Sequence, residues 1–201
     1  MDENTGLVIG NFSVFKTSNG GLNWQYLLPS IDGLYFVDNS IGFAVGSSLL
    51  YKTFNGGLNW STASSINARA VFFLNSNTGF AGYNNLYKTT NSALNWVAIE
   101  GVEPNLGLKS FCFINDLTGF AAGNKFIRTT NGGNNWVHIA IGTSEPLNSI
   151  AFQNANTGIV AAGNTLYKTS NLGENWSPIF TITNEAFNSV CYSNLNTFYA
   201  G

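Results

Sequence analysis

The apolar positions of this chain fall in short runs that alternate with turns rich in Gly, Asn and Thr. Residues 149–180 show the pattern most clearly, and they predict four successive strands: Ser149–Gln153, Ile159–Gly163, Thr165–Thr169 and Asn175–Phe180. Short strands separated by frequent turn signals are typical of an all-β sandwich or propeller. Apolar residues occupy both faces of these strands, as expected for a small sheet pressed between two neighbours.

A stretch of eight residues that ends in Trp recurs five times, and we call each copy a box. The boxes are Thr17–Trp24, Thr53–Trp60, Thr89–Trp96, Thr129–Trp136 and Thr169–Trp176. Their tryptophans are spaced by 36, 36, 40 and 40 residues, a period that marks a repeat architecture. The repeat favours a propeller over a sandwich. The sequence therefore predicts one all-β domain over residues 1–201, a β-propeller of five four-stranded blades.

Each box predicts a tight hairpin with an aromatic anchor. Asn at the third position can hydrogen-bond its own backbone, and the Gly residues that follow it supply positive φ. The third copy has Ser92 and Ala93 instead, so its turn is expected to be the most strained or altered. We expect the tryptophans to lie in the core. The predicted structural residues are Asn19, Trp24, Asn55, Trp60, Asn91, Trp96, Asn131, Trp136, Asn171 and Trp176.

The box resembles the Asp-box, or BNR, repeat (Ser/Thr, any, Asp, any, Gly, any, any, Trp), with Asn where that family usually has Asp. This resemblance implies a propeller whose blades carry the box between their third and fourth strands. It extends to the sialidases and to the photosystem II assembly factors, whose blades are similar to Thr118–Trp136. Sialidases hold their substrate with three arginines, whereas this chain has only Arg69 and Arg128. The assembly factors imply a non-enzymatic scaffold that binds proteins.

The two ends of the chain predict how the ring closes. The sequence begins at a second strand, Asn4–Gly10, and ends with a first strand, Phe187–Asn194, that could complete the first blade. Asn196–Gly201 repeats the register of Asn4–Gly10, so two segments compete for one strand position. One end then lies outside the ring, or the chain comes from a longer array, or it pairs with another copy of itself. A monomer closed by the C-terminal strand is our first expectation, and a strand-exchanged oligomer is the alternative.

Composition limits the classes of partner. The formal net charge is −2 and the sequence pI is about 5.2, which argues against a nucleic-acid partner. No apolar run is long enough to span a membrane, and MDENTGLVIG has no basic leader. The Asn- and Thr-rich, weakly charged composition favours an extracellular or periplasmic protein. Cys112 and Cys191 occupy one register of two separate repeats, so we expect two buried thiols and no disulfide.

No catalytic, cofactor-binding or metal-binding residue is predicted. None of the ten acidic residues recurs at a repeat register, so no carboxylate pair for glycoside hydrolysis stands out. One basic register does recur, directly before each box Thr. It either faces an anionic partner or covers apolar surface with its side-chain stems. Its members are Lys16, Lys52, Lys88, Arg128 and Lys168.

A ligand-binding face is predicted where the chain varies in length. The links between blades vary, and such loops on a constant scaffold often bind ligands. Charged residues of these links, and of the positions just before the first strands, give the candidate ligand face: Asp32, Arg69, Lys109, Glu103 and Glu145. We expect a non-enzymatic binding or scaffold propeller that recognises a protein or a glycan. A degenerate glycosidase-like propeller and a designed or recently amplified repeat without a ligand are the alternatives.

Overall fold

The computed structural model describes residues 4–194 and 197–201. Over these residues the chain forms antiparallel β-sheets and no helix. Four sheets have four strands, the first has three and the last has two. The predicted all-β class and the repeated four-stranded sheet are confirmed. The chain divides after Ala98 into two compact units.

The first unit holds three sheets. Sheet 1 comprises β1 (Gly6–Gly10), β2 (Ser13–Thr17) and β3 (Gln25–Pro29). Sheet 2 comprises β4 (Gly33–Phe36), β5 (Gly42–Gly46), β6 (Leu49–Thr53) and β7 (Ser61–Ser64). Sheet 3 comprises β8 (Ala70–Phe73), β9 (Gly79–Gly82), β10 (Leu86–Thr89) and β11 (Val97–Ala98).

The second unit also holds three sheets. Sheet 4 comprises β12 (Ser110–Phe113), β13 (Gly119–Ala122), β14 (Phe126–Thr129) and β15 (Val137–His138). Sheet 5 comprises β16 (Leu147–Phe152), β17 (Gly158–Ala162), β18 (Thr165–Thr169) and β19 (Ser177–Thr181). Sheet 6 pairs β20 (Val190–Tyr192) with β21 (Phe198–Ala200).

A Phe–Gly pair joins the first and second strands of each four-stranded sheet. In sheet 4, Phe113 lies opposite Gly119, and a Cβ on that glycine would lie 2.4 Å from the Phe113 ring. The box Trp136 packs edge-on against the same ring, with centroids 5.9 Å apart. The glycine of the Thr-Gly turn thus leaves room for a ring that supports the box tryptophan. Equivalent pairs join Phe36 to Gly42, Phe73 to Gly79 and Phe152 to Gly158.

The core lies between neighbouring sheets of a unit. Phe43 of sheet 2 packs against Phe73 of sheet 3 with parallel rings 3.8 Å apart. In the second unit, Phe120 stacks on Phe152 at 4.5 Å. All of these rings except Phe152 are nearly inaccessible to solvent. Because the second strands of sheets 2 to 5 are buried on both faces, each of these sheets depends on its neighbours for its stability.

The expectation that all box tryptophans are buried is wrong for Trp24. Trp136 is 6% exposed, but Trp24 is 47% exposed. Sheet 1 has three strands and no first strand, so it lacks the Phe that supports the tryptophan in sheets 2 to 5. A Cβ added to Gly6 would lie 3.9 Å from the Trp24 ring.

Sheet 6 contains the two C-terminal segments from which ring closure was predicted. β20 pairs with β21 through Val190–Ala200, Cys191–Tyr199 and Tyr192–Phe198. β21 is therefore the C-terminal copy of the second strand. It pairs with β20 in a separate two-stranded sheet. The number of blades, the closure of the ring and the single domain over residues 1–201 stay predictions.

The two cysteines are free thiols, as expected, but they are not both buried. Cys112 is partly covered and packs with the cluster between sheets 4 and 5, where burial raises the pKa of its thiol. Cys191 is exposed, contrary to the prediction. It holds in sheet 6 the register that Cys112 holds in sheet 4.

Candidate functional site

All five boxes contain the same hydrogen-bond network. In the first, Thr17 Oγ1 donates to Asn19 Oδ1 at 2.9 Å and accepts from the Gly21 N–H at 2.9 Å. Asn19 Oδ1 also accepts from the Asn23 N–H at 3.0 Å. The amide oxygen therefore fills the acceptor role without a charge. The Thr side chains are buried, and the Asn oxygens accept hydrogen bonds within the turn.

The backbone of the box turn is left-handed in every copy. Gly132 and Gly133 adopt φ values of 68° and 72°, and Ser92 and Ala93 adopt 59° and 66° at the same positions. The third turn therefore keeps the common geometry, and its two non-glycine residues bear the strain of positive φ. The fifth copy bears part of the same strain at Leu172, with φ of 60°.

The basic register before each box Thr ties neighbouring sheets together. Lys16 Nζ donates to the Gly56 carbonyl at 2.8 Å, and Lys52 Nζ donates to the Ser92 carbonyl at 2.9 Å. Both acceptors are the fourth residue of the next box. Arg128 reaches the equivalent Leu172 carbonyl at 3.4 Å. Neither sequence interpretation anticipated these cross-links, which make the register a structural device between repeats.

Replacing Lys52 by Ala should lower the free energy of unfolding by about 1.5 kcal/mol, because a charged donor to a partly buried carbonyl is lost. The Lys52 ammonium also lies over the Phe43 and Phe54 rings. Urea unfolding followed by tryptophan fluorescence measures the change. Lys168→Ala is the matched control: Lys168 has the same register but is exposed, so its loss should cost less than about 0.5 kcal/mol. Equal effects of the two substitutions would contradict the cross-link.

A cavity of about 400 Å³ opens in the first unit at the end opposite its boxes. It is formed by the hairpin turns between second and third strands and by the links that lead into the first strands. Its lining includes both first-unit members of the predicted ligand face, Asp32 and Arg69. The other lining residues are Phe12, Ser30, Ser47, Ser48, Asn67 and Ala68.

Backbone contacts position the two charged residues. The Asp32 N–H donates to the Val45 carbonyl, and the Arg69 N–H donates to the Gly82 carbonyl, so each residue is fixed just before a first strand. Gly33 lies so close to the neighbouring sheet that a Cβ there would meet the Arg69 carbonyl at 2.5 Å. The Arg69 guanidinium stacks on the Tyr83 ring at 4.2 Å. This stacking restricts the planar guanidinium while its side chain remains exposed.

Four residues of the rim adopt left-handed backbone conformations although none of them is glycine. Phe12 (φ 56°) and Ser48 (φ 63°) close two-residue hairpin turns, and Ser30 (φ 58°) lies in a link. Ser47 (φ 50°) is the fourth. The turn around Phe12 leaves its ring 66% exposed. These residues were not among the predicted site residues, and the signal in the sequence is an aromatic residue where a hairpin turn usually has Gly or Asn.

The other members of the predicted ligand face belong to the second unit. Glu103 forms an ion pair with Lys125, with the two charged groups 3.1 Å apart. The hydrogen bond that Lys125 donates and its positive charge lower the pKa of the Glu103 carboxyl. Lys109 Nζ donates to Asn148 Oδ1 at 2.7 Å. Glu145 lines a separate cavity of about 330 Å³. Glu103 and Glu145 therefore line different cavities, and the use of all five residues by one ligand stays a prediction.

Residues 4–194 and 197–201 contain no cluster of three His, Cys, Asp or Glu side chains suited to a metal ion. Over the same ranges there is no helix that could cross a membrane. His138 lies on β15 beside Glu103, on the rim of the cavity that includes Trp136.

Comparisons of the fold identify propeller proteins. An enzyme of glycoside hydrolase family GH74 from Niastella koreensis aligns with 94% of this chain at a TM-score of 0.77 and 17% identity. The GH74 xyloglucanase from Xanthomonas campestris aligns with 95% at 0.75 and 12% identity. YCF48 bound to the D1 peptide aligns with 99% at 0.55 and 16% identity. At these identities the likeness supports the β-propeller fold and nothing finer.

The chain spans 39% and 40% of the two glycoside hydrolases and 87% of YCF48. No protein-family model matches the sequence, and no curated protein matches it.

Proposed function

We propose that the chain is a non-enzymatic binding propeller whose Asp-box repeats are purely structural and whose ligand is an extended peptide segment of another protein. The observation that carries this proposal is the 400 Å³ cavity opposite the boxes, with a guanidinium, a carboxylate and an exposed Phe at one opening. A cavity of that size accommodates one or two side chains of a peptide. Secretion to the cell surface or periplasm suits the composition.

The cavity favours binding over hydrolysis. Among the described residues that line it, Asp32 is the only carboxylate. Glycoside hydrolysis requires a pair of carboxyl groups, one on each side of the scissile bond. Arg69, held flat on Tyr83, is suited to a bidentate contact with a carboxylate or a peptide carbonyl. The exposed Phe12 ring offers an apolar surface beside it. YCF48, a protein of the same fold, is described as bound to a peptide.

A glycan is the second candidate ligand, because an exposed ring flanked by hydroxyl and amide groups also suits a sugar. Phe12, Ser47, Ser48 and Asn67 supply these groups. Two of the proteins with a similar fold are glycoside hydrolases. A glycan-binding remnant of a hydrolase would use the same cavity without catalysis.

A screen of the protein against a random-peptide array and a xyloglucan oligosaccharide distinguishes the two ligands. Peptides that bind should carry an acidic residue near an apolar one. Arg69→Ala should lower the affinity for the selected peptide at least tenfold, because a charged hydrogen bond is lost. Lys168→Ala removes an exposed basic residue outside the cavity and should leave the affinity unchanged.

Two results would contradict the proposed function. If the oligosaccharide binds and no peptide does, the glycan candidate replaces it. If a selected peptide binds Arg69→Ala as tightly as the parent, the cavity is not the binding site. Thermal melting of Arg69→Ala should match the parent, which separates loss of binding from loss of folding.

A further inference from the structure

The link between sheets 4 and 5 forms one wall of the cavity of about 330 Å³, which we call the link cavity. This link covers residues 139–146, whereas the link between sheets 1 and 2 covers only residues 30–32. The boxes on either side of it are 40 residues apart, against 36 in the first unit. The added length of the link therefore provides the wall of the link cavity.

Hydrogen bonds and apolar packing fix this link to sheet 4. The Ile139 N–H donates to the Phe126 carbonyl, and the Leu147 N–H donates to the Gly123 carbonyl, both at 2.8 Å. Between these ends, Ile141 packs in one cluster with Phe126 and Leu147. All three side chains line the link cavity and are at most 6% exposed. They form its apolar floor.

The Glu145 side chain lies at the polar rim of the link cavity. Thr143 Oγ1 accepts a hydrogen bond from the Glu145 N–H at 3.1 Å, which fixes the backbone there. The stem of Glu145 passes over Gly163, in the turn between β17 and β18, and a Cβ on that glycine would lie 3.1 Å from Glu145 Cγ. Gly163 has a φ of 52°. Glycine therefore supplies both the turn conformation and the space for the glutamate stem.

The link cavity carries one negative charge. Among the described residues that line it, Glu145 is the only Asp, Glu, Lys or Arg. Asn124 and His138, both exposed, add uncharged polar groups to the rim. Lys125, which follows Asn124 in the chain, forms its ion pair with Glu103 at 3.1 Å and does not line the link cavity. A cationic ligand would therefore complement this cavity.

We propose that the link cavity binds an organic cation with an aliphatic stem, either a free primary amine or the side chain of a lysine. The stem would lie on the apolar floor, as lysine stems do on apolar surfaces. The ammonium group, which has three donors, would bind the Glu145 carboxylate and the Asn124 amide oxygen. Ligand sites usually measure about 300–1,000 Å³, so a cavity at the lower end of that range suits one short aliphatic chain.

NMR titration of the full chain with n-butylamine at constant pH tests the site. His138 is the only histidine of the chain, so its imidazole signals need no assignment. They should shift with saturation as the amine is added. n-Butanol, an uncharged molecule of similar shape, should bind at least tenfold more weakly. Sodium chloride at the same ionic strength should produce no saturating shift.

Glu145→Gln keeps the stem over Gly163 and removes the charge, so it should raise the Kd for n-butylamine at least tenfold. Glu103→Gln is the matched control, because Glu103 also lies near His138 but lines the other cavity of the second unit. It should leave the Kd unchanged. Arg69→Ala should leave it unchanged as well, so this test is independent of the peptide cavity in the first unit. Thermal melting checks that each variant folds.

A second probe distinguishes the two sources of the cation. N-acetyl-lysine methylamide carries the same ammonium group and aliphatic stem on a peptide backbone. A lower Kd for this probe than for n-butylamine would indicate a lysine side chain of another protein. An equal or higher Kd would indicate a free amine. Either result supports a site for an aliphatic ammonium group.

Three outcomes overturn the proposal. Equal binding of n-butanol and n-butylamine would mean that the link cavity recognises only the apolar stem. A Kd that Glu145→Gln leaves unchanged and Glu103→Gln raises would place the cation in the other cavity. A His138 shift that grows linearly with the amine, and to the same extent with sodium chloride, would be a general effect of salt.

Discussion

Trp136→Ala should lower the free energy of unfolding by about 3–5 kcal/mol, the usual cost of removing a large buried aromatic. Trp136 is 6% exposed and packs edge-on against Phe113, whose ring in turn covers Gly119. Its loss should therefore release the Phe113 ring as well as leave a cavity. Chemical denaturation followed by circular dichroism measures the effect without depending on the tryptophan signal.

Trp24→Ala provides a matched control in the same chain. Trp24 closes an equivalent box but is 47% exposed, and it has no Phe beneath it. We expect a cost of about 1 kcal/mol, near the centre of the usual range for single substitutions. If the two alanine variants were equally destabilised, burial on the first-strand Phe would not explain the role of the box tryptophan.

The repeat was visible in the sequence because the elements that define it are local. A box needs Thr, Asn and a turn within a few residues, and the side-chain hydrogen bonds from Thr129 to Asn135 all lie within the box. The strands of residues 149–180 were also predictable, since β18 has the predicted bounds and the others differ by one to two residues at their ends. These features repeat along the chain, so each copy reinforced the interpretation of the others.

Features that depend on contacts between sheets were not predictable. The Lys52–Ser92 hydrogen bond joins residues 40 positions apart, and a basic register alone does not show what it faces. Trp24 and Cys191 carry the same residue types as their equivalents, but their exposure depends on whether another sheet covers them. The repeat period shows which position a residue occupies in its repeat, but it does not show whether another sheet covers that residue.

Only the part of the candidate site that follows the repeat register was predicted. Asp32 and Arg69 were found because they hold one register before the first strands, and the structure brings both to one cavity. Phe12 and Ser48 were missed, since each occupies a left-handed position that favours Gly or Asn. Strain at such positions is tolerated only where the surrounding hairpin fixes the backbone.

Thr129→Val should lower the free energy of unfolding by about 2–4 kcal/mol, although valine has nearly the shape of threonine. Thr129 is 1% exposed, and its Oγ1 accepts from the Gly133 N–H at 2.9 Å and from the Asn131 N–H at 3.4 Å. Each buried donor left without an acceptor costs about 1–3 kcal/mol, and Asn131 also loses the hydroxyl that orients its amide. Urea unfolding of the variant gives the value.

Thr129→Ser separates the hydroxyl from the methyl group, because it keeps every hydrogen bond of the network and removes one buried carbon. It should cost about 0.8 kcal/mol, the value of a buried methylene. The serine variant should therefore lie much closer to the parent than the valine variant does. The reverse order would mean that packing of the methyl group, and not the hydrogen-bond network shared by the five boxes, holds the turn in place.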